Sequence, residues 1–355
     1  MERPFPMKSL RIAAFVLAGL SLCLPAVADV PAPSAPPAVP ATGAAIAVVP
    51  FAEPGGDVVE ADTVADNALV AGLTKLGQRP VLAAVVRHLD VPTTAKAICA
   101  ASGATAIAVG SMRTEQNYKL VYAVFTDIPH YPTHGEVRLT LLDCSGRPLW
   151  RAIGTGDKDH YGSNVGSAVS EVAELGVGAA LATFPATVPS APLPVAPIAA
   201  ASPGAGLVIV PVGEPGSADP MLDEATGDLA KAAAAANANA VVSPPIDRFD
   251  AVNAAANICA AYGAKGLLYG TLRTEQSLAN FIRSHAEIWV SQVGCDGTVL
   301  WTAHATGENI HRGTNFRSGV SAALTAAFVQ AGPELTARLQ GLPVPSPSPS
   351  PTPAP

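Results

Sequence analysis

The chain has 355 residues, of which 49% are hydrophobic, 14% are charged and 5% are aromatic. That length supplies enough apolar material for two ordinary domains. The formal net charge of −7, together with few clusters of Lys or Arg, argues against nucleic acid as a partner.

The amino terminus is typical of a secretory signal peptide. A basic start that ends at Arg11 is followed by the apolar residues 12–24, and Ala26-Val27-Ala28 forms a small-x-small cleavage site. The apolar stretch is too short to span a bilayer. We therefore expect residues 1–28 to be a signal peptide and the mature protein to be periplasmic or extracellular. The residue before Cys23 is too large for a lipoprotein signal, so lipidation is not expected.

Three segments rich in proline divide the rest of the chain. Residues 29–43 and 185–205 are rich in Pro and Ala, and residues 342–355 are rich in Pro and Ser. Their low charge and lack of periodicity predict two extended linkers and a disordered tail rather than packed structure. They delimit two blocks, 44–184 and 206–341.

The two blocks are copies of one another. The match is carried by residues 98–104 with 258–264, 110–116 with 270–276, and 134–136 with 285–287. The first copy has nine more residues between Gln116 and His134 than the second copy has between Gln276 and His285. Positions kept in both copies have had two chances to drift, which makes them better functional candidates than positions found once.

Hydrophobic patterning predicts the elements of each copy. In the first copy we expect strands over 45–51, 80–86 and 105–112, helices over 60–77 and 91–102, and a final helix over 164–184. A hairpin precedes the final helix, because Val137, Leu139 and Leu141 alternate with polar residues before a turn at 144–146. In the second copy, Asp296-Gly297 marks the same hairpin and the final helix covers 315–339.

The predicted fold class is therefore α/β, with two tandem copies of a β-α-β-α-β-β-β-α domain. Each copy has a mixed five-stranded sheet, in which parallel strands joined by right-handed crossovers come first and a hairpin follows.

Short motifs relate both copies to a known class of envelope domain. Gly103-Ala104 precedes a strand that ends in Gly110, and an Asp-x-x-Gly turn at 143–146 precedes Leu149-Trp150. This order of elements and turns resembles the amino-terminal domain of TolB, and it is similar to modules in curli-secretion and penicillin-binding-protein-activator lipoproteins. The resemblance implies non-catalytic work in envelope assembly and supplies no catalytic residues.

Four cysteines remain after the signal peptide, which in an oxidising compartment predicts two disulfides. The topology places Cys99 and Cys259 near the end of the second helix and Cys144 and Cys295 in the hairpin turn, at the same edge of the sheet. We therefore expect Cys99–Cys144 and Cys259–Cys295, the most economical of the three connectivities. Strict alternation puts Cys144 on the polar face, so the second helix has to cover that face or the turn has to redirect the side chain.

Duplicated polar residues gather at the opposite, carboxyl edge of each sheet, where open α/β sheets usually bind ligands. If Cys144 faces Arg147 across the hairpin turn, His134 lies opposite Asp157; if Cys295 faces Thr298, His285 lies opposite Glu308. The candidate ligand or partner residues are Glu53, Arg113, Glu115, His134, Glu136, Asp157, His160 and Asn164 in the first copy, and Glu214, Arg273, Glu275, His285, Glu287, Glu308, His311 and Asn315 in the second.

Several chemistries are open at this edge. Imidazole and carboxylate groups suit zinc, with His134, His160, His285 and His311 as candidate ligands, and the start of the last helix suits an anion. Against this, a His opposite an acid is a common surface pair that contributes little. Catalysis is the least favoured reading, since no activated nucleophile, nucleophile elbow, HExxH or phosphate loop is present.

Two further features have a structural and a functional reading. The Arg-Thr-Glu-Gln segments that begin at Arg113 and Arg273 predict either an ion pair at the end of a strand or a contact between copies or with a partner. The nine extra residues predict either one long hairpin or a protein-binding loop. The aromatic residues near them are Tyr118, Tyr122, Phe125 and Tyr131.

The sequence therefore favours a non-catalytic, exported binding or scaffold protein of the cell envelope, without a cofactor. Its tandem copies would serve avidity or two partners, which we expect to be envelope or secreted proteins. The alternative is a metal- or anion-binding protein that uses the His and carboxylate clusters, and a hydrolase ranks third.

Overall fold

The computed structural model describes residues 43–56, 60–116, 119–122, 127–161, 165–195, 198, 204–216, 220–278, 282–311 and 316–343. The predicted signal peptide, nearly all of the first linker, and the tail beyond residue 343 lie outside these residues. None of the described helices has the length and apolar character needed to cross a membrane.

Both copies follow the same order of elements. The first copy consists of β1 (Ala45–Val49), α1 (Glu60–Lys75), β2 (Arg79–Leu82), a 3-10 turn (His88–Asp90), α2 (Val91–Ser102), β3 (Ala106–Gln116), β4 (Lys119–Tyr122), β5 (Asp127–Asp143), β6 (Pro148–Tyr161) and α3 (Val165–Leu181). The second consists of β7 (Leu207–Val210), α4 (Pro220–Ala235), β8 (Ala240–Val242), α5 (Arg248–Asn253), α6 (Ala255–Tyr262), β9 (Gly266–Leu278), β10 (Ile282–Gly294), β11 (Val299–His311) and α7 (Phe316–Leu339).

The sheets confirm the predicted fold class. The second sheet has the strand order β8-β7-β9-β10-β11, and the first has the matching order β2-β1-β3-β5-β6. In both, the short edge strand and the third strand run parallel to the first, and the hairpin strands run antiparallel. The additional strand β4 pairs with β5 beyond the end of β3, so the first sheet contains six strands.

A glycine ends the helix that precedes the third strand in each copy. Gly103 follows α2 with φ 64°, and Gly263 follows α6 with φ 62°, both in the left-handed region that closes a helix. The chain then turns directly into β3 or β9. This cap explains why the Gly-Ala pair is present in both copies.

Each sheet has helices on both faces, and this resolves the position of the cysteines. In the first copy, Val137 and Leu139 pack with α1 and α3 on one face. On the other face, Leu142 and Cys144 pack with Cys99 of α2. The second helix thus covers the face on which alternation places Cys144. Disulfides join Cys99 to Cys144 and Cys259 to Cys295, so the prediction of one disulfide per copy is confirmed.

The hairpin register is the predicted one, although the turn is not. His134 lies opposite Asp157, as expected. The expected start of this register, Cys144 facing Arg147, is wrong, because the turn is closed by a hydrogen bond from the Asp143 amide to the Arg147 carbonyl. A register shift after Leu141 compensates by one residue, as a β-bulge does.

The described residues of the two copies form a single compact unit in which the copies dock against each other. Equivalent elements meet, since β3 contacts β9 and the 3-10 turn contacts α5. Leu89 of the first copy is buried in a core cluster of the second, and its counterpart Phe249 is buried in a core cluster of the first. This reciprocal insertion gives the pair an approximate two-fold relation.

The linker between the copies packs more than its composition predicted. Val188 packs against the core of the first copy and Ile198 against the core of the second. The Leu193 amide also donates a hydrogen bond of 2.7 Å to the carbonyl of Pro148 at the start of β6. The expectation of an unpacked linker is therefore wrong for these residues, because their apolar side chains are partly buried against the copies.

Candidate functional site

Some of the predicted edge residues form surface pairs. His134 Nδ1 lies 2.8 Å from Asp157 Oδ1, and the two side chains are 47% and 79% exposed. Exposed pairs of this kind contribute little to stability. Alternation along β6 puts His160 and Asp157 on opposite faces of the sheet, so His134 and His160 do not converge on one site. Glu115 lies opposite His134 on the neighbouring strand.

The corresponding residues of the second copy surround a buried carboxylate. Glu287 is 1% exposed, and its Oε1 lies 3.8 Å from His285 Nε2 and 3.7 Å from His304 Nε2. His285 also approaches Glu308, at 3.9 Å, and lies opposite Glu275. Sequence comparison missed His304 because its counterpart in the first copy is an apolar isoleucine.

The structure brings no set of metal ligands together in the part of the chain that it describes, where no three His, Cys, Asp or Glu residues are placed to hold an ion. The backbone of His311 pairs with Ile282, but its side chain lies outside the described part. Asn164 and Asn315 also lie outside it.

The other predicted residues meet at a cavity of about 90 Å³ between the two copies. Residues of both copies line it, among them the predicted edge residues Glu53, Arg113, Glu136, Glu214 and Arg273.

Among the lining residues that the sequence reasoning did not select are His88, Arg138, Arg248 and Trp289. They form two counterpart pairs, because His88 aligns with Arg248 and Arg138 aligns with Trp289. Since the residue type differs within each pair, comparison of the copies gave no signal for any of the four.

Glu214 lies at the centre of a cluster of charged side chains that lines the cavity. Its carboxylate accepts a hydrogen bond of 2.5 Å from Arg248 Nε of its own copy and one of 3.4 Å from Arg138 Nη1 of the other copy. Burial would raise the pKa of Glu214, but the positive charges of Arg248 and Arg138 outweigh it and hold the pKa below its ordinary value. Arg138 Nε also donates to Glu136 at 2.8 Å, which ties the first copy's predicted carboxylate into the same cluster.

Arg248 and Tyr269 complete the cluster in the second copy. Burial would lower the pKa of Arg248, but the Glu214 carboxylate raises it, so this guanidinium stays charged. Arg248 Nη2 donates across the interface to Ser111 Oγ at 3.0 Å. The Tyr269 hydroxyl donates to Glu214 at 3.5 Å, and burial together with that carboxylate raises its pKa, so the phenol stays protonated.

A second ion-pair cluster joins β6 of the first copy to α5 of the second. Arg151 donates to both carboxylate oxygens of Asp250, at 3.0 and 2.7 Å, and its Nη2 lies 3.0 Å from Asp247. Asp247 also caps α5 by accepting from the Phe249 amide at 3.0 Å. Burial, and then the charge of Glu214, raises the pKa of Asp247 to about 6, in spite of Arg151 and Arg248.

Contacts between copies continue along β9. Arg273 Nη2 lies 3.2 Å from Asp62 of the first copy, and its Nη1 donates to Glu287 at 3.4 Å. The contact between copies, one of the two readings of the Arg-Thr-Glu-Gln segments, is thus present at Arg273. A side chain at Gly56 would place Cβ 2.8 Å from Cζ2 of Trp289, so this loop of the first copy needs glycine where it packs on the tryptophan.

The chemistry of this interface is that of a docking surface. A cavity of about 90 Å³ is well below the roughly 300–1,000 Å³ of a usual ligand pocket. The Ser111 hydroxyl that borders it accepts from a guanidinium, and no base among the described residues is hydrogen-bonded to it. The charged groups of the interface lie against opposite charges, as buried ions require.

Comparisons with known proteins give matches to solved structures over part of the chain. No protein-family profile matches the chain, and no curated protein matches it. Among solved structures, the PelC dodecamer of Paraburkholderia phytofirmans is 18% identical, with 39% of this chain and 88% of that chain covered and a TM-score of 0.24. Lipoprotein GNA1162 of Neisseria meningitidis is 19% identical, with 35% and 90% covered and a TM-score of 0.24. The protein CT253 of Chlamydia trachomatis is 12% identical, with 39% and 88% covered and a TM-score of 0.25.

Proposed function

We propose that the protein is a non-catalytic, exported binding or scaffold protein of the bacterial cell envelope, and that the long hairpin of its first copy contacts a partner protein. The single observation that carries this proposal is the hairpin itself. It is the main addition to a domain that is otherwise repeated, and it is not used in docking the two copies through the contacts described above.

The hairpin of the first copy is longer than its counterpart in the second copy. In the first copy, β4 continues the pairing of β3 with β5 in the same register, from Lys119 opposite His130 to Tyr122 opposite Asp127. In the second copy, the ladder ends where Leu278 lies opposite Ile282. Four further residues per strand lengthen the hairpin by about 13 Å.

The base of this extension combines aromatic and charged side chains. The His130 ring stacks on Tyr161 with centroids 4.6 Å apart, and its Nε2 lies 2.9 Å from Asp159 Oδ1. Tyr161 is 57% exposed, whereas Tyr131 is buried. Tyrosine is enriched in protein interfaces, and an exposed tyrosine at the base of the hairpin is compatible with a contact to another protein.

The aromatic residues noted nearer the tip are described in part. Tyr118 and Phe125 lie outside the described residues, and of Tyr122 the structure describes the backbone pairing. The side chains at the base of the hairpin are described, and they offer the positions at which a contact can be tested.

The non-catalytic part of the proposal is supported by the ion pairs that three polar residues form, namely Glu214, Arg248 and Arg273. These residues lie where a ligand site would be expected, but their charges are used in ion pairs. Glu214 pairs with Arg248 of its own copy and with Arg138 of the other copy, and Arg273 pairs with Asp62 of the other copy. The two disulfides favour an exported protein, because such bonds persist in oxidising compartments.

A site-specific photo-crosslinker tests the proposal in the cells that make the protein. It would replace Asp159, beside the long hairpin, and in a matched control Ile310, the counterpart in the second copy; the Asp159 side chain is 66% exposed and Ile310 is 55% exposed. We expect an adduct with another protein from position 159 and none from position 310. No adduct from position 159, or equal adducts from both, would overturn the proposal.

A further inference from the structure

The docking of two similar domains raises a question of specificity. Because equivalent surfaces of the two copies face each other, the same surfaces could pair identical copies from two chains. Leu89 and Phe249, which insert reciprocally, are both large and apolar and do little to distinguish these pairings. The distinction has to come from positions at which the copies carry different charges.

The contact of Arg151 is such a position. This arginine of β6 binds Asp250 through two hydrogen bonds of 3.0 and 2.7 Å and lies 3.0 Å from Asp247. The three side chains are 26%, 6% and 14% exposed for Arg151, Asp250 and Asp247, so the pairs are largely removed from water. A planar guanidinium that meets two carboxylates in this way is well suited to selecting one geometry.

The counterparts of these residues carry different chemistry. Aligning the copies places Thr302 at the position of Arg151, Arg87 at the position of Asp247, and Asp90 at the position of Asp250. Arg87 Nε pairs with Asp90 inside the first copy at 2.9 Å. The first copy thus supplies the cation of this contact, and the second copy supplies the two carboxylates that it binds.

Pairing of identical copies would lose this match. Two first copies would bring Arg151 toward Arg87, a like charge whose acid is already engaged. Two second copies would bring Thr302 toward Asp247 and Asp250, and would bury these carboxylates without the Arg151 guanidinium that pairs with them, which is strongly destabilising. Only the pairing of a first with a second copy places the Arg151 guanidinium against both Asp247 and Asp250.

We propose that the contact of Arg151 with Asp247 and Asp250 is a specificity device, which selects docking of the first copy on the second within one chain and opposes association of chains through identical copies. This goes beyond the proposed partner binding at the hairpin, which uses other residues.

The test uses the full chain with Arg151→Thr, which gives the first copy the residue of the second. Thr302→Ala is the matched control at the counterpart position, and Arg151→Lys keeps the charge without the bidentate geometry. Sedimentation velocity over a range of concentrations measures association, and hydrogen exchange at α5 measures docking. Intact disulfides and an unchanged far-UV spectrum identify variants that have folded.

We expect Arg151→Thr to raise exchange at α5 about tenfold or more, as loss of one partner from a buried pair implies. We also expect it to produce chain dimers, because the repulsion between Arg151 and Arg87 is gone. The control should remain as the wild type, and Arg151→Lys should raise exchange less and form no dimer. Faster exchange without dimers would overturn the proposal, since the contact would then stabilise docking without selecting it. Unchanged exchange and mass, or dimers formed equally by Thr302→Ala, would overturn it as well.

Discussion

The two copies differ little in their cores and much in the residues that face the other copy or extend beyond it. Each has the same sheet order, disulfide position and helix cap. The first copy contributes Arg138 and Arg151 to the interface, where the second has Trp289 and Thr302, and the first alone has the long hairpin. The copies thus share a fold and differ in the side chains that face each other and in the length of one hairpin.

The largest effect is expected from the disulfides, which should stabilise the copies almost equally. The bonds join residues 45 and 36 positions apart, so chain entropy gives each a contribution of about 4 kcal/mol. We expect Cys99→Ser/Cys144→Ser and Cys259→Ser/Cys295→Ser to lower the free energy of unfolding by similar amounts in urea titrations. A large decrease in the free energy of unfolding for one pair and none for the other would contradict the expectation that the disulfides stabilise the two copies equally.

The reciprocal anchors should come next. Truncating buried aromatic and leucine side chains to alanine costs about 2–5 kcal/mol, so Phe249→Ala and Leu89→Ala should each destabilise the chain within that range. Each variant should also speed hydrogen exchange in the copy that receives the side chain, not only in the copy that carries it. An effect confined to the mutated copy would contradict the reciprocal docking.

The pH dependence of stability distinguishes two carboxylates of the second copy. The pKa of Asp247 is raised from 3.8 to about 6, chiefly by burial, so the stability linked to it is present below pH 3.8 and is lost as the pH rises through about 6. The pKa of Glu214 is lowered from 4.5, so its contribution is present above pH 4.5 and is lost as the pH falls through the lower folded value.

We therefore expect Asp247→Asn to remove a loss of stability that the wild type shows between about pH 4 and 7. Urea titrations at a series of pH values would measure it. The contradicting result is a free energy of unfolding that rises with pH through this window by the same amount in the wild type and in Asp247→Asn. It would show that burial at the interface does not destabilise the Asp247 carboxylate. This behaviour is compatible with a role in specificity, because a buried ion pair can select a geometry without adding net stability.

The smallest effects are expected at the surface histidines. His134→Ala should change the free energy of unfolding by no more than about 1 kcal/mol, since the pair with Asp157 is exposed. Zinc binding remains a prediction from the sequence. Elemental analysis of the wild type and of a His134→Ala/His160→Ala/His285→Ala/His311→Ala variant should give equal metal content, and a loss of metal in the variant would reinstate a metal site.

Features set by local patterns within one copy could be predicted from the sequence. Alternation and turn residues placed His134 opposite Asp157, and the buried runs and glycine caps located the strands and helices. The disulfides followed from the edge at which a helix ends and a hairpin turns. These properties depend on residues that are close in sequence or joined by a simple topology.

The docking of the copies could not be predicted in this way. Residues kept in both copies drew attention to Arg273 and Glu214, but their partners Asp62 and Arg138 differ between the copies and gave no repeated signal. The apolar residues of the linker were likewise hidden by its proline content. Which face of a domain is covered depends on a match between two surfaces, and periodicity within one copy does not encode that match.

The central claim, that the long hairpin of the first copy contacts a partner, is tested most directly by shortening it. Replacing residues 117–133 with residues 277–284 gives the first copy the hairpin of the second, while the urea midpoint shows whether the fold is intact. With the crosslinker at position 159 in both proteins, we predict that the partner adduct seen with the long hairpin is lost from the chimera. An adduct of equal yield from a folded chimera would contradict the account.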